Sequence, residues 1–442
     1  MIEEKSKKIL ILQKILRLAA ILVLKKYKPE IVSVTGSVGK TSTKEAIATV
    51  LASKFRIRKT EKNYNNEIGV PLTIIGAGSG DDSVYGWLRV FLRWLWVMIV
   101  PVKFPEILVL EMGADRPGDI QYLSEFVKSR VGVITDISYS HMEFFKNVEG
   151  VIKEKSTLIR ELDERGLAVL NIDNPHIMKL SSSANGQIKS KIVSFGSSPE
   201  ASMRATDITF AYTGEQADKL NGLSFKLNYK GTTIPMRLNN ILGKHQICAV
   251  LAAVAVGDEF GINLVEAGSA LEDFSSPVGR MNLIAGIKET NIIDDTYNSS
   301  PTSAVAALES LGEIKALRKI AVLGDMLELG DETKSGHQKL ADKFMEIKGD
   351  IFFAVGDRMK EAIEVLLKHN FPENHIFHFD GPEEAGRKLQ EIMQTGDLIL
   401  VKGSQGMRME KIVEEVMANP LEAKVLLCRQ TSGWRKTLFN KP

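Results

Sequence analysis

Residues 31–43, which read IVSVTGSVGKTST, constrain the fold of this chain more than any other segment. The β-branched run at residues 31–34 predicts a buried strand, and Gly36 and Gly39 predict a turn into a helix opened by Lys40. Glycines let backbone N–H groups converge on an anion, and the N-terminus of a helix adds a partial positive charge. The segment therefore predicts a phosphate-binding loop between a strand and a helix.

The lysine and hydroxyl side chains of this loop indicate what it binds. A lysine at this position reaches the terminal phosphates of a nucleotide, and a neighbouring hydroxyl ligates Mg²⁺. Both Thr41 and Ser42 are candidates for that hydroxyl. The spacing is a variant of the general P-loop, because Val34 stands where a glycine is expected. An ordinary turn into a helix is the alternative, and the order of strand, loop and helix favours the P-loop.

Length and composition exclude several classes of protein. With 442 residues the chain is long enough for two or three domains. Lys and Arg total 57 against 55 acidic residues, so the net charge gives no reason to expect a nucleic-acid partner. The sequence has two cysteines, Cys248 and Cys428, without the close spacing of a zinc ribbon or a disulfide framework. This cysteine usage predicts a reducing compartment.

The N-terminal segment, residues 5–26, is cationic and rich in leucine and isoleucine. It resembles a signal peptide in composition, but Lys14 and Arg17 interrupt the apolar run and no small-residue cleavage site follows. An exported chain cleaved here would also begin almost at its phosphate-binding loop. We therefore predict an amphipathic helix that is retained, in a chain that stays in the cytoplasm.

A second apolar segment, residues 87–100, reads WLRVFLRWLWVMIV. It is shorter than the roughly 20 residues that span a bilayer, and Arg89 and Arg93 lie one helical turn apart on one face. Two interpretations stay open. Either the two amphipathic segments pack on each other and on the domain, or their tryptophans and cations form a patch that contacts the membrane surface.

Strands and helices alternate after this segment. Residues 107–111, 131–135 and 167–171 are continuous apolar runs, which are typical of a parallel sheet covered on both faces. The P-loop, Glu111 and His141 each follow such a strand, so we expect them to meet at the carboxyl edge of the sheet. A carboxylate and an imidazole beside a triphosphate suit Mg²⁺ coordination.

The rest of the chain divides into two parts. Alternating polar and apolar residues between 194 and 243 predict antiparallel hairpins at one edge of the first sheet, and a helix is predicted at residues 244–260. Strands separated by helices then predict an open sheet of Rossmann type, without a GxGxxG motif. These strands are predicted at residues 291–295, 319–323, 351–355, 375–379 and 398–402.

The predicted fold class is α/β, with a P-loop domain built on a mostly parallel sheet and a Rossmann-like domain after it. The expected boundaries give an amphipathic helical segment at residues 1–30, a nucleotide-binding domain at residues 31–276 and a C-terminal domain at residues 277–442. The second apolar segment would belong to an insertion at residues 85–104.

Nine motifs in this order resemble those of the Mur ligases of peptidoglycan synthesis. They are VTGSVGKTST, NNEIGVPLT, EMGADRPGDI, the loop around His141, GKHQ, PVGRM, DDTYNSSP, LGDMLELG and KGSQGMRME. The resemblance runs from residue 31 to residue 419. Within the family the motifs are most similar to those of the member that adds D-alanyl-D-alanine to UDP-N-acetylmuramoyl-tripeptide.

The resemblance implies ATP-dependent amide bond formation with ATP and Mg²⁺ as cofactors. The terminal carboxylate of the UDP-linked tripeptide would attack the γ-phosphate, and the amine of D-alanyl-D-alanine would then attack the acyl phosphate. Transfer to a carboxylate brings two anions together, so cations must neutralise their charge. We expect a monomer.

The resemblance also implies a role for individual residues. Lys40 would hold the β- and γ-phosphates, and Thr41 with Glu111 would ligate one Mg²⁺. His141 and a carbamylated Lys155 would ligate a second. Further ATP contacts are implied for Gly36, Ser37, Gly39, Ser42, His245, Arg280, Asp295, Tyr297 and Asn298. Substrate contacts are implied for Asn65, Asn66, Asp325, Lys402 and Ser404.

Three features depart from the family pattern. The family carries a separate N-terminal domain that holds the UDP moiety, and here residues 1–30 precede the P-loop. Residues 87–100 are extra, and Ala249 stands where the family often has asparagine. We expect the two apolar segments to pair and to replace the missing domain. The cations at their polar border would be Lys14, Arg17, Arg89 and Arg93.

Two alternatives stay open. One is another Mur-type ligase that acts on a different or lipid-linked acceptor, and the other is a non-catalytic membrane scaffold with a relict nucleotide site. The DDTYNSSP and LGDMLELG motifs disfavour a folate-type ligase, and the missing zinc ribbon disfavours an amidating enzyme of lipid-linked substrates. The scaffold hypothesis is weakened because the lysines, the carboxylate and the histidine of the site are all present.

Overall fold

The computed structural model of the chain describes residues 7–61, 64–81, 83–138, 145, 147–182, 188–214, 219–272, 274–431, 433 and 434. The chain forms two compact units. The first unit comprises Met1–Ile208, Ser224–Leu238 and His245–Phe274. The second comprises Thr209–Leu223, Asn239–Lys244 and Ser275–Pro442.

The first unit contains most of a long sheet, with helices on both of its faces. Its helices are α1 (Lys7–Tyr27), α2 (Lys40–Ala52), α3 (Gly69–Ile75), α4 (Val84–Ile99), α5 (Asp119–Phe126), α6 (Val148–Arg160), α7 (Pro175–Ser182), α8 (Gln246–Glu259) and α9 (Leu264–Glu272). The strands of the sheet are β1 (Glu30–Thr35), β2 (Ile57–Lys59), β3 (Ile107–Glu111), β4 (Val131–Ile134), β5 (Leu167–Asn171), β6 (Lys191–Gly196), β7 (Met203–Thr213), β8 (Lys219–Tyr229) and β9 (Thr232–Asn239). Among the described residues the strand order is β2-β3-β1-β4-β5-β6-β7-β8-β9.

The central strands are parallel, as the continuous apolar runs predict. β1 lies between β3 and β4 and pairs with both in parallel, so that Val34 is opposite Glu111. Every residue of β3, β4 and β5 is buried. Because both faces of these strands are covered by helices, apolar residues occupy consecutive rather than alternate positions.

The predicted hairpins are present at the far edge of this sheet, with one correction. β8 and β9 are joined by a tight turn at Lys230 and Gly231, and the amide of Asn240 donates to the carbonyl of Asn221 across the hairpin. β6, where the predicted hairpin region begins, is instead parallel to both β5 and β7. The exposure of β6 falls along the strand from Lys191 to Gly196 and does not alternate, so the hairpin pattern applies only to later strands.

The two amphipathic segments form α1 and α4 and contact each other, as predicted. The indole Nε1 of Trp94 donates to the carbonyl of Ala19 at 3.2 Å, and the hydroxyl of Tyr27 donates to the carbonyl of Val97 at 2.7 Å. The ammonium of Lys26 also donates to the carbonyl of Val97, at 3.0 Å. Both helices add buried side chains to the core of the first unit, so they pack on each other and on the domain.

The second unit is built around a six-stranded sheet, counted over the described part of the chain. Its strands are β10 (Asn282–Gly286), β11 (Thr290–Asp295), β12 (Arg318–Gly324), β13 (Ile351–Val355), β14 (Ile376–Phe379) and β15 (Asp397–Lys402). Its helices are α10 (Pro301–Glu313), α11 (Thr333–Glu346), α12 (Lys360–Lys368), α13 (Pro382–Ile392), α14 (Glu410–Val416) and α15 (Ala423–Leu426). The strand order is β10-β11-β15-β12-β13-β14.

This second sheet has an apolar core on each face. Leu400 belongs to one core, whereas its neighbours Ile399 and Val401 belong to the other. All strand pairs of the sheet are parallel except β10 with β11. The predicted open sheet of Rossmann type, covered on both faces, is therefore confirmed, with an antiparallel strand added at its edge.

Candidate active site

The P-loop connects β1 to α2, and its backbone requires glycine at two positions. Gly39 has a φ of 84° and Gly36 has a φ of 156°. A Cβ atom at Gly36 would lie 2.0 Å from Oγ1 of Thr135, which follows β4. A larger residue at position 36 would therefore push the loop away from the neighbouring strand.

Hydrogen bonds tie the P-loop to the segment after β4. The amide of Ser37 donates to the carbonyl of Asp136 at 2.8 Å, and its hydroxyl donates to the carbonyl of Ser138 at 3.1 Å. The amide of Ser138 donates back to Oγ of Ser37 at 3.0 Å. The predicted metal ligand His141 comes next in the chain but lies outside the described residues, so its role stays a prediction.

Two lysines converge on one carbonyl of the P-loop. Lys40 Nζ donates to the oxygen of Gly36 at 2.7 Å, and Lys155 Nζ, from α6, donates to the same oxygen at 3.1 Å. Lys155 is buried. Burial, and then the positive charge of Lys40, lower the pKa of Lys155 to about 8. A larger fraction of this amine is therefore neutral near physiological pH than for a lysine in water, and carbamylation requires the neutral amine.

Glu111 and Thr41 bring two oxygen donors together at the same edge. Thr41 Oγ1 donates to Oε2 of Glu111 at 3.1 Å, and Asn65 Nδ2 donates to Oε1 at 3.2 Å. The predicted meeting of the P-loop and Glu111 is therefore present. Of the two candidate hydroxyls, that of Thr41 contacts Glu111, whereas Ser42 is buried in α2.

The donor set at Thr41 and Glu111 fits Mg²⁺. This ion prefers oxygen ligands, and in nucleotide sites it combines one or two protein oxygens with waters and phosphate oxygens. The part of the chain that the structure describes contains no group of three or more His, Cys, Asp and Glu side chains that would hold a metal alone. An ion here would therefore take the rest of its ligands from the nucleotide and from water.

Lys44 is a charged residue of this site that sequence reasoning missed. Its side chain is buried, and Nζ lies 3.7 Å from Oε2 of Glu111 and 3.1 Å from Oε1 of Glu45. Lys44 follows Lys40 by one helical turn, which places both lysines on one face of α2. That spacing is a sequence signal that Lys44 lies near the P-loop, although it does not say which carboxylate Lys44 contacts. Lys44 therefore places its side-chain nitrogen beside the Glu111 carboxylate.

Glu154 is a second missed residue, adjacent to Lys155 in α6. Its carboxylate accepts hydrogen bonds from the amide of Gly118 at 2.8 Å and from the amide of Ile120 at 2.7 Å. These amides lie at the start of α5, where the backbone lacks partners within the helix. The contact joins α6 to α5 and so holds the helix that carries Lys155. No local pattern signals a cap that comes from so far along the chain.

His245 and the P-loop lie at the same end of a helix pair. α2 packs along α8, and just beyond their C-terminal ends the rings of Phe55 and Phe260 lie 6.0 Å apart, so both helices run in the same direction. His245 is the N-cap residue of α8 and is exposed. It therefore lies at the same end of the pair as Lys40.

Asn66, predicted as a substrate contact, caps a helix. Its side-chain oxygen accepts hydrogen bonds from the amides of Ile68 at 3.1 Å and Gly69 at 2.9 Å, where α3 begins. Asparagine is among the residues preferred for this function. Asn66 is an exposed residue, and its predicted contact with substrate stays a prediction.

In the second unit, β11 and β15 bring three predicted residues together. The parallel register places Lys402 opposite Asp295, and Nζ of the buried Lys402 donates to Oδ2 of Asp295 at 2.6 Å. The same ammonium donates to the carbonyl of Asn298 at 2.9 Å. These contacts form at the carboxyl ends of adjacent parallel strands, which is where open α/β sheets bind ligands.

Ser404 and Asp325 lie at the same edge of the second sheet. The amide of Ser404 donates to the carbonyl of Asp325 at 3.1 Å, and the amide of Leu327 donates to the hydroxyl of Ser404 at 2.8 Å. The amide of Met359 donates to Oδ1 of Asp325 at 3.0 Å. Burial nevertheless raises the pKa of Asp325 above its usual value. Five of the predicted residues therefore share this edge.

Arg280 and Tyr297 contact each other near this edge. Cζ of Arg280 lies 4.3 Å from the centroid of the tyrosine ring, and the amide of Tyr297 donates to the carbonyl of Gly279 at 3.0 Å. Arg429, which sequence patterns do not single out, lies 5.7 Å from the same ring and donates to the carbonyl of Thr296 at 3.0 Å. Tyr297 is thus held by two guanidinium groups and by the backbone.

We expect Lys402→Met to destabilise the protein by about 3–5 kcal/mol, because the variant leaves the Asp295 carboxylate buried without its counter-charge. Urea unfolding without nucleotide, followed by circular dichroism, measures this loss. Lys388→Met, which removes an exposed lysine from its ion pair with Glu391, is the matched control and should cost less than about 1 kcal/mol. Equal stability of the two variants would contradict the prediction.

Two protein-family models match the chain. The Mur ligase middle domain matches residues 34–83 and 98–257. The Mur ligase, glutamate ligase domain matches residues 279–405. The first match begins after α1 and leaves out residues 84–97, which make up most of α4. The matches therefore cover the P-loop, Glu111, Lys155 and the carboxyl edge of the second sheet.

Known proteins with similar sequence and structure belong to the same family. The chain is 32% identical over 392 residues to UDP-N-acetylmuramoyl-tripeptide--D-alanyl-D-alanine ligase of Bacillus subtilis (strain 168), and the match covers 88% of this chain and 76% of the relative. The structure of this chain is similar to a crystal structure of MurF from Acinetobacter baumannii, with a TM-score of 0.74 and 26% identity. The match covers 92% of this chain and 81% of the other.

A further solved structure is similar and contains a nucleotide. MurF ligase from Thermotoga maritima in complex with ADP gives a TM-score of 0.72 with 26% identity, and the match covers 91% of this chain and 83% of the other. The domain models, the relative and both structures agree in their family. With 32% identity to a relative over most of both sequences, this chain belongs to the Mur ligase family.

Proposed function

We propose that this protein is an ATP-dependent ligase that joins D-alanyl-D-alanine to UDP-N-acetylmuramoyl-tripeptide. The observation that carries the proposal is the arrangement around the P-loop, where Lys40 and Lys155 share the Gly36 carbonyl beside the Thr41 and Glu111 pair. The similarity to the Bacillus subtilis ligase over 88% of the chain supports the choice of substrates.

The position of each residue in the P-loop site suggests its role in binding or catalysis. The backbone amides of the loop and the start of α2 bind phosphate oxygens. Lys40 reaches the β- and γ-phosphates and offsets the charge that builds up when a carboxylate approaches them. Thr41 and Glu111 are the proposed ligands of Mg²⁺, which when bound neutralises phosphate charge. His141 and a carbamylated Lys155 are the proposed ligands of a second ion.

The reaction takes place in two steps. A carboxylate oxygen of the tripeptide forms a bond to the γ-phosphorus while the bond to ADP breaks, which gives an acyl phosphate and ADP. The amine of D-alanyl-D-alanine then attacks the carbonyl carbon, inorganic phosphate leaves, and the amine loses a proton. Positive charge at Lys40 lowers the barrier of the first step, because it brings two anions together.

The second unit and the remaining residues complete the proposal. Arg280, Asp295, Tyr297 and Asn298 are proposed nucleotide contacts, together with His245 of the first unit. Asn65, Asn66, Asp325, Lys402 and Ser404 are proposed substrate contacts. The predicted domain boundaries, and the predicted replacement of a UDP-binding domain by residues 1–30, stay predictions.

We also propose a monomeric, cytoplasmic enzyme that contacts a membrane peripherally. Within the ranges that the structure describes, no helix has both the length and the apolar character to cross a bilayer. A cytoplasmic location is supported by the need for ATP and by the free cysteines at positions 248 and 428.

Release of ADP with a panel of acceptors tests the proposed function. We expect ADP release that requires both D-alanyl-D-alanine and a UDP-linked tripeptide. The panel also contains a lipid-linked acceptor and a UDP-sugar without peptide, which should give no more than background. Turnover with the lipid-linked acceptor alone would replace the proposed substrate, and the absence of ADP release with every acceptor would contradict ligase activity.

A further inference from the structure

α1 and α4 each have an apolar face that the fold buries. Leu16, Ala20 and Val23 of α1 and Val90 and Val97 of α4 are buried in the core of the first unit. This inward face accounts for the contact between the helices and for their attachment to the domain. It uses only one side of each helix.

A second apolar stripe lies on the outer side of each helix. On α1 it consists of Ile11, Ile15, Leu18 and Leu22, and on α4 of Leu88, Leu92, Leu95, Trp96 and Ile99. The spacing of three or four residues places each set on one face. All are exposed: Leu18 has 59% of its surface in solvent, Leu92 has 56% and Ile99 has 69%. We call these residues the outer stripes. Apolar surface of this extent marks an interaction site.

The charge of the two helices is entirely positive. α1 and α4 together contain eight basic residues and no acidic residue, whereas the whole chain has a net charge of +2. The rest of the chain therefore has a net charge of −6. Lys14, Lys25, Arg89 and Arg93 are exposed next to the outer stripes. This surface is apolar and cationic at once, so its partner must be apolar and anionic.

The family match does not explain these helices. The middle-domain match begins at residue 34 and omits residues 84–97, so α1 and most of α4 lie outside it. The residues of the P-loop site lie elsewhere in the fold, on α2, β3 and α6. The outer stripes therefore have a role apart from the chemistry shared by the family.

We propose that the outer stripes of α1 and α4 dock this protein onto the surface of a membrane rich in anionic lipids. Amphipathic helices of this kind lie in the plane of the interface, with apolar side chains in the acyl boundary and cations at the headgroups. Trp96, which is 54% exposed, suits the interface because its ring is both apolar and polar. A second copy of the chain fits less well, because the basic residues of α1 and α4 in one copy repel those in the other.

Docking is a separate property from the proposed ligase reaction. The surface rests on α1 and α4 alone and requires neither ATP nor substrate, so docking and ligase activity fail separately in experiments.

Flotation with vesicles tests the proposal on the full chain. Vesicles of pure phosphatidylcholine are compared with vesicles that also contain about 30% phosphatidylglycerol, since anionic lipid attracts basic segments. We expect the protein to float with the anionic vesicles and not with the neutral ones. Binding should weaken as salt is added, because the charges are exposed. Fluorescence of Trp96 should shift to shorter wavelength on binding and lose this shift in Trp96→Phe.

Paired variants separate the two components of the surface. Leu18→Glu with Leu92→Glu should abolish flotation. Arg89→Gln with Arg93→Gln should weaken binding by about fivefold for each charge removed. The matched control is Leu421→Glu in the second unit, an exposed leucine outside the outer stripes, which should bind as the unmodified chain does. The melting temperature of the Leu18→Glu, Leu92→Glu variant should match that of the unmodified chain, because both leucines are exposed.

Three results would overturn the proposal. The first is failure of the unmodified chain to float with anionic vesicles, and the second is equal binding by the double glutamate variant. The third is a concentration-dependent dimer, measured by light scattering, that the glutamate variant abolishes while vesicle binding stays absent. That result would assign the outer stripes to a second copy of the chain.

Discussion

Lys40→Ala is expected to reduce ATP turnover by about a thousandfold or more while the fold stays intact. In the structure the ammonium of Lys40 donates to carbonyls of its own loop, those of Gly36 and Ser37. Its removal takes away a charge that phosphate transfer needs and leaves the buried core untouched. The variant should therefore lose ATP turnover while its free energy of unfolding changes little.

The measurement is ADP release at saturating substrates, together with the melting temperature without ligand. Lys54→Ala is the matched control, since Lys54 lies just beyond the end of the same helix and forms an exposed ion pair with Glu266. That variant should keep full activity. Normal ADP release by a folded Lys40→Ala variant would show that the P-loop is not the nucleotide site.

The sequence was most informative where local pattern decides structure. The strand at residues 107–111 is predictable from four consecutive apolar residues followed by Glu111. A strand that is covered on both faces does not need alternating polar and apolar residues. The meeting of the P-loop with Glu111 follows from topology, since the carboxyl ends of parallel strands share one edge. The contact of Thr41 with Glu111 follows from the strand pattern and from the shared edge of the parallel strands.

Contacts between distant parts of the chain were not predictable in this way. Glu154 caps α5 through the amides of Gly118 and Ile120, and no local signal marks such a partner. The burial of Lys44 beside Glu111 has a signal in its spacing from Lys40, but spacing does not say which carboxylate it meets. The outer stripes show the same limit, because a helix that is apolar on two sides gives no indication of which side the fold will cover.

Lys155→Ala is expected to reduce ligase activity by about a hundredfold. The proposed carbamate would be lost, and with it one ligand of the second Mg²⁺. A small added carboxylate, such as acetate, should restore part of the activity by occupying the space of the carbamate. Lys153→Ala is the matched control, because Lys153 is on the same helix but exposed, and it should keep full activity without any effect of the added carboxylate.

The pH dependence of stability gives a second readout for Lys155. The pKa of Lys155 is about 8 in the folded chain, against 10.5 for a lysine in water, so between these two pH values the unfolded state binds more protons at this position. In buffer free of CO₂, the unmodified chain should therefore gain stability relative to Lys155→Ala as the pH rises from 8 to 10.5. Protonated Lys155 destabilises the fold fully below pH 8, and this cost disappears above 10.5. Full activity of Lys155→Ala would contradict the carbamate, and a stability difference that does not vary with pH would contradict the burial of a charged amine at this position.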